Sequence, residues 1–125
     1  MNSSSGDAGA SITGDYVGIL ARTMGDVTIK NDLGHIGGGD GGAGIKIVGS
    51  GSGDAGVVTV DNHAYGSVMG GHGADIFGKA QVDYENQHGL TVGLGGDGLH
   101  VRDINGIVGD PTKNAIYIDN GQDNT

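Results

Sequence analysis

Four near-identical phrases constrain this chain more than anything else in it: VTIKN at 27–31, VVTVDN at 57–62, VDYEN at 82–86 and IYIDN at 116–120. Each alternates apolar and polar residues, the period of a strand with one buried face. Each then stops at Asn. Two further words recur between these phrases in a fixed order. One is GILA at 18–21, GIKI at 44–47, DIFG at 75–78 and GLHV at 98–101. The other carries a single apolar anchor: Ile12, Ile36, Val68 and Val92. A tandem unit of this size cannot bury its own apolar face, so it must stack on its neighbours as a solenoid.

Three short strands per repeat with Gly-rich corners predict an all-β fold: a parallel β-helix of about four coils, covering residues 12–120 as a single domain. Stacked coils lie ~4.8 Å apart, so like positions form interior columns. Val27, Val58, Val82 and Ile116 make one, and Ile29, Val60, Tyr84 and Ile118 the next. The second word predicts Ile19, Ile45, Ile76 and Leu99, followed by Ala21, Ile47, Gly78 and Val101. Tyr84 is the odd member, and its hydroxyl needs a partner. One step further, Asn31, Asn62, Asn86 and Asn120 point inward at one corner. Asn tolerates the left-handed backbone of a sharp corner, and stacked amides can hydrogen-bond from coil to coil as a ladder.

Composition agrees with strands. The chain has 11 Val and 11 Ile against 5 Leu, and a single Glu; β-branched residues suit a pleated, half-buried surface. A net charge of −9 argues against nucleic acid and anionic membrane surfaces as partners, since both select Lys/Arg patches. It leaves divalent cations open. The absence of cysteine removes disulfides and thiolate metal sites. No apolar run approaches a membrane span, so no membrane insertion is expected. Residues 1–11 begin with the polar stretch MNSSSGDAG, which has neither the charged nor the apolar part of an export signal. They read as a disordered leader or a remnant of expression, and residues 121–125 as a polar tail. Neither end looks like a cap, so end-to-end self-association is expected through the open strand edges.

The strand words, Gly25-Asp26 ahead of a strand, the Asn that closes it, and the corners GGGDGGAGI at 37–45 and GLGGDGL at 93–99 resemble the passenger segments of bacterial autotransporters. That resemblance implies a right-handed parallel β-helix, export, an extracellular or cell-surface location, and a stalk-like or adhesive role. A host-surface or matrix ligand, or a glycan, would then be the partner. It brings no catalytic residues with it, and the expectation is a protein that is not an enzyme.

Chemistry-bearing residues fall in three groups. GGHGADIFG at 70–78 fits the calcium-binding nonapeptide, with Asp75 as its acidic residue; a Gly-rich corner is the competing reading. The outward face of the Asn-ending word is acidic. Stacking brings Asp61, Asp83, Glu85 and Asp119 together. Such a group could bind calcium, could supply the paired carboxylates of a polysaccharide lyase or hydrolase, or could simply be solvated. Asp75, Asp61, Asp83 and Glu85 are therefore the calcium candidates, and no other cofactor is expected. Of the five histidines, His35, His63, His72, His88 and His100, the three that follow a ladder Asn (His35, His63 and His88) form no column when counted from it. No H-E-x-x-H occurs, and they read as turn residues. The most variable connection, 102–115, is the expected place for specific binding, because solenoid insertions collect on one face.

Overall fold

The computed structural model describes residues 2–3, 11–51, 53–63, 66–106 and 116–120. Most of the leader, residues 107–115 of the long connection and the tail 121–125 lie outside the described residues. The strands follow in chain order as β1 (Asn2–Ser3), β2 (Ser11–Thr13), β3 (Val17–Arg22), β4 (Val27–Asp32), β5 (His35–Gly37), β6 (Ala43–Val48), β7 (Val57–His63), β8 (Ser67–Gly70), β9 (His72–Phe77), β10 (Gln81–Gln87), β11 (Leu90–Gly93), β12 (Leu99–Arg102) and β13 (Ile116–Asp119). Within the expected leader, Asn2–Ser3 thus pairs as a strand against Asn31–Asp32.

Every third strand falls in the same sheet. The first sheet is β1-β4-β7-β10-β13, the second β2-β5-β8-β11 and the third β3-β6-β9-β12. All pairings are parallel. Three parallel sheets built by one advancing chain make a parallel β-helix of four coils, with β13 starting a fifth level. The core fills the prism between the sheets. Ile36, Ile45, Ile47, Val58, Val60, Val68, Ile76 and Val82 have no exposed surface. Fully burying a side chain of this size is worth about 1.5–3 kcal/mol, and these columns supply the main cohesion between coils.

The first sheet has the expected register at every level: Val27, Val58, Val82 and Ile116 align, as do Ile29, Val60, Tyr84 and Ile118. The other two sheets depart from expectation in instructive ways. In the third sheet Ile45 pairs with Ala74, and Ile76 pairs with Ile47 and Val101. The coil through β9 is therefore displaced by two residues from the alignment that matched Ile76 to Ile45, and Gly78 falls beyond the strand. Glycine fixes this register. Gly18, Gly44, Gly73 and Gly98 share one column at the corner, one from each coil. A Cβ on Gly44 would sit 2.8 Å from the carbonyl oxygens of Gly73 and Met69, and 2.9 Å from Val68 Cγ1. No side chain fits so close to neighbouring backbone.

In the second sheet Thr91, not Val92, lies beneath Val68. The polar residue replaces the anchor because Tyr84 is its neighbour: the Tyr84 hydroxyl and Thr91 Oγ1 are 2.8 Å apart. Thr91 Oγ1 in turn donates to Asn86 Oδ1 at 3.2 Å. The Tyr84 ring, the one aromatic ring fully buried among the described residues, is thus accommodated by a small hydroxyl residue that also satisfies its polar end.

Candidate functional site

Polar side chains collect in two interior corners and on one outer face. The first corner, between the first and second sheets, holds the asparagines. Asn31 Nδ2 donates to Asn62 Oδ1 at 2.8 Å, Asn62 Nδ2 to Asn86 Oδ1 at 2.7 Å, and Asn86 Nδ2 to Asn120 Oδ1 at 2.7 Å. The same amides reach the turn carbonyls of Gly34, Gly66 and Gly89. Their backbones are not left-handed. That conformation falls two residues on, at Leu33 and His88. The amides therefore serve to satisfy buried backbone of the turn, and the strain of the corner, of order 1–2 kcal/mol per non-Gly residue, is carried at Leu33 and His88.

The second corner, between the third and first sheets, was not legible in the sequence. Lys79 is fully buried there. Its Nζ lies 3.1 Å from Asp54 Oδ1 and donates to the carbonyls of Thr23 at 2.9 Å and Gly25 at 2.6 Å. Asp54 also accepts from the backbone N–H of Ser50 at 3.0 Å and of Gly56 at 2.7 Å. Burial by itself pushes the Asp54 carboxyl up, but the N–H groups of Ser50 and Gly56 together with Lys79 outweigh it. The carboxyl is held below its ordinary range. Asn105, from the described start of the long connection, donates to the Asp54 carbonyl at 3.0 Å. Nothing about KAQ at 79–81, the shortest connection at this corner, marks its Lys as internal.

The outer face of the first sheet carries the acidic group. Asp61 pairs with Glu85 and Glu85 with Asp119, while Asp83 stands beside Thr59. The structure thus gathers Asp61, Asp83 and Glu85. Asp75 is elsewhere: it lies on the third sheet, where His100 Nδ1 approaches its Oδ1 at 3.1 Å and the His100 ring stacks on His72 at 4.8 Å. The nonapeptide stretch forms β9 and the corner before it, and does not join the acidic face.

His63 does join it. β7 runs through His63, so the alternation that turns Asp61 outward turns His63 the same way. Asp61, His63 and Glu85 each offer a ligand atom, all within 4.8 Å of one another. Counting His63 from the ladder Asn as a turn residue concealed this; counting it as a strand residue two beyond Asp61 would have found it. The electrostatics are those of crowded like charge. The Glu85 carboxyl is raised, first by its hydrogen-bonding contact with the Asp61 carboxyl, then by burial and by the charges of Asp61 and Asp83, with His63 opposing. Asp83 is raised by burial first and then by Asp61 and Asp119. The buried Tyr84 hydroxyl is pushed up to about 12 by desolvation, which the Thr91 hydrogen bond partly offsets, so it stays neutral at ordinary pH. Asp61, His63 and Glu85 are the described residues suited to holding a cation. No family model, curated protein or solved structure matches this chain.

Proposed function

We propose that the chain is a structural segment of a secreted or surface-displayed solenoid, acting as a stalk or adhesive surface and not as a catalyst. The observation that carries this reading is the last level of the helix. Among the described residues β13 is paired on one side only. Ile116 and Ile118 continue interior columns, yet they are 43 % and 52 % exposed. An open cleft lined by Tyr84, Thr91, Leu99, Ile118 and Asn120 lies at this end of the interior columns. An apolar, hydrogen-bonding edge of this kind recruits another strand. Interior columns that run through every coil suit a module whose work is to extend a shaft.

The resemblance to autotransporter passengers supports a location outside the cell, with a host-surface protein, matrix component or glycan as partner. End-to-end stacking of two copies is the accessible test. Size-exclusion chromatography with light scattering should show mass rising with concentration, and Ile118→Asp should hold the chain monomeric. A wild-type chain that stays strictly monomeric at high concentration would count against the reading.

A further inference from the structure

The outer face of the first sheet carries more than surplus charge. Asp61 Oδ1, His63 Nε2 and Asp83 Oδ1 are each shielded from solvent and have no hydrogen-bond partner. Shielded polar atoms in folded proteins are nearly always satisfied by protein, water or an ion. Here protein does not satisfy them, although their strands are in full register. Glu85 stands directly across from Asp61, so the two carboxyls share one place on the face of the sheet. Lys30 occupies the next place in that column, yet among the described residues no ion pair joins it to Asp61.

We propose that Asp61, His63 and Glu85, flanked by Asp83, bind one divalent transition-metal ion of the zinc class. The strand geometry makes the site: Asp-x-His sets two ligands on one face of β7, and Glu85 stands directly across from Asp61 on β10. Ligands of a tetrahedral zinc ion sit about 3.4 Å from one another. The three donor atoms lie within 4.8 Å, so side-chain rotation of about an ångström closes them on an ion while the backbone stays in place. The donor set decides the class of metal. Calcium takes six to eight oxygens, whereas one imidazole nitrogen with carboxylates suits zinc and its neighbours. This inference goes beyond a scaffold role and does not depend on it. A metal bridging β7 and β10 would tie two coils together from outside, at the level where the Asn ladder ties them from inside.

The test is calorimetric titration of the metal-free chain with Zn²⁺, repeated with Co²⁺ to read the visible absorption of the bound ion. One equivalent should bind, with an absorption pattern showing nitrogen in the ligand set. His63→Gln and Glu85→Gln should each weaken binding by about tenfold or more, since removing a ligand costs at least what removing its supporting partner does. His72→Gln, at the stacked histidine pair of the third sheet, should leave it unchanged. Circular dichroism of each variant establishes that the strands are retained, and Glu85→Gln preserves shape should His63→Gln perturb the fold. Absence of saturable binding overturns the proposal. So does a loss of binding that follows His72→Gln and spares His63→Gln, or Ca²⁺ binding as tightly as Zn²⁺ with no dependence on His63.

Discussion

The two interior corners solve one problem by opposite means. Each must satisfy the backbone of stacked turns out of reach of water, where an unpaired group costs about 1–3 kcal/mol. The ladder corner repeats one neutral residue at each level, and every amide donates to the next. The other corner uses a different residue at each level. The carbonyls of Thr23 and Gly25, the Asp54 carboxylate, the Lys79 ammonium and the Asn105 amide belong to four successive turns and form one connected network. What a solenoid requires is therefore vertical continuity of hydrogen bonding. Repetition of the residue is one route to it. An ion pair spanning levels is another, and it tolerates connections of unequal length.

The contrast breaks most visibly at Lys79. Lys79→Ala leaves the Asp54 carboxylate without its cation and strands the carbonyls of Thr23 and Gly25. We expect a loss of about 3–5 kcal/mol, the range for removing one member of a buried pair, read from urea or guanidinium unfolding. The double change Lys79→Met with Asp54→Leu sharpens this. Many buried ion pairs can be exchanged for apolar residues without loss, but here backbone groups on both sides would remain unsatisfied. The double variant should stay clearly less stable than wild type; full recovery would show that the pair matters only to itself.

The ladder should give a smaller, graded response. Asn62 has an amide neighbour above and below, and Asn62→Ala should cost about 1–3 kcal/mol. Asn120, joined to Asn86 from one side at the last described level, should cost less. Equal effects at the two positions would mean that each Asn serves only its own turn and that the column carries no coupling. A cost of a few tenths at Asn62 would remove the ladder from the list of cohesive elements.

The same contrast explains what could be read in advance. The first sheet was legible because strand alternation and a repeated terminal Asn mark its register twice. From that register the meeting of Asp61, Asp83 and Glu85 followed by counting. The third sheet slipped by two residues because apolar identity was matched, Ile76 to Ile45, while steric demand is what aligns it, through Gly44 and Gly73. Thr91 was passed over for Val92 because an anchor was expected to be apolar, and only the depth of the Tyr84 hydroxyl calls for Thr there. Lys79 and Asp54 gave no signal: each occurs once, and their partners are mostly backbone. His63 was hidden by a boundary, since one residue more of β7 changes it from a turn residue into a neighbour of Asp61.

The smallest effect, and the most selective, comes from acid. The ladder has no titrating group, so pH cannot act on it directly. The Asp54 carboxyl is held low in the folded chain against an ordinary value of about 3.9 in the unfolded one. Its stabilisation is therefore fully present above about pH 4 and is lost as pH falls below that, through the folded value. Lys79 is the charged group the structure sets against it. The raised carboxyls of Asp83 and Glu85 act in the other sense, since protonating them relieves repulsion, and they do so at higher pH. They are unchanged by Asp54→Asn, so the difference between wild type and that variant isolates Asp54. Urea midpoints measured between pH 7 and about pH 2.5 should converge for the two proteins as the acid limb is descended, because the advantage of an ionised Asp54 disappears there. The effect is modest: a protonated Asp54 keeps its place, and Lys79 retains two carbonyl acceptors. Parallel curves with no convergence would mean that Asp54 draws nothing from its charge. The second corner would then be held by its hydrogen bonds, with those of the Lys79 ammonium to the Thr23 and Gly25 carbonyls foremost.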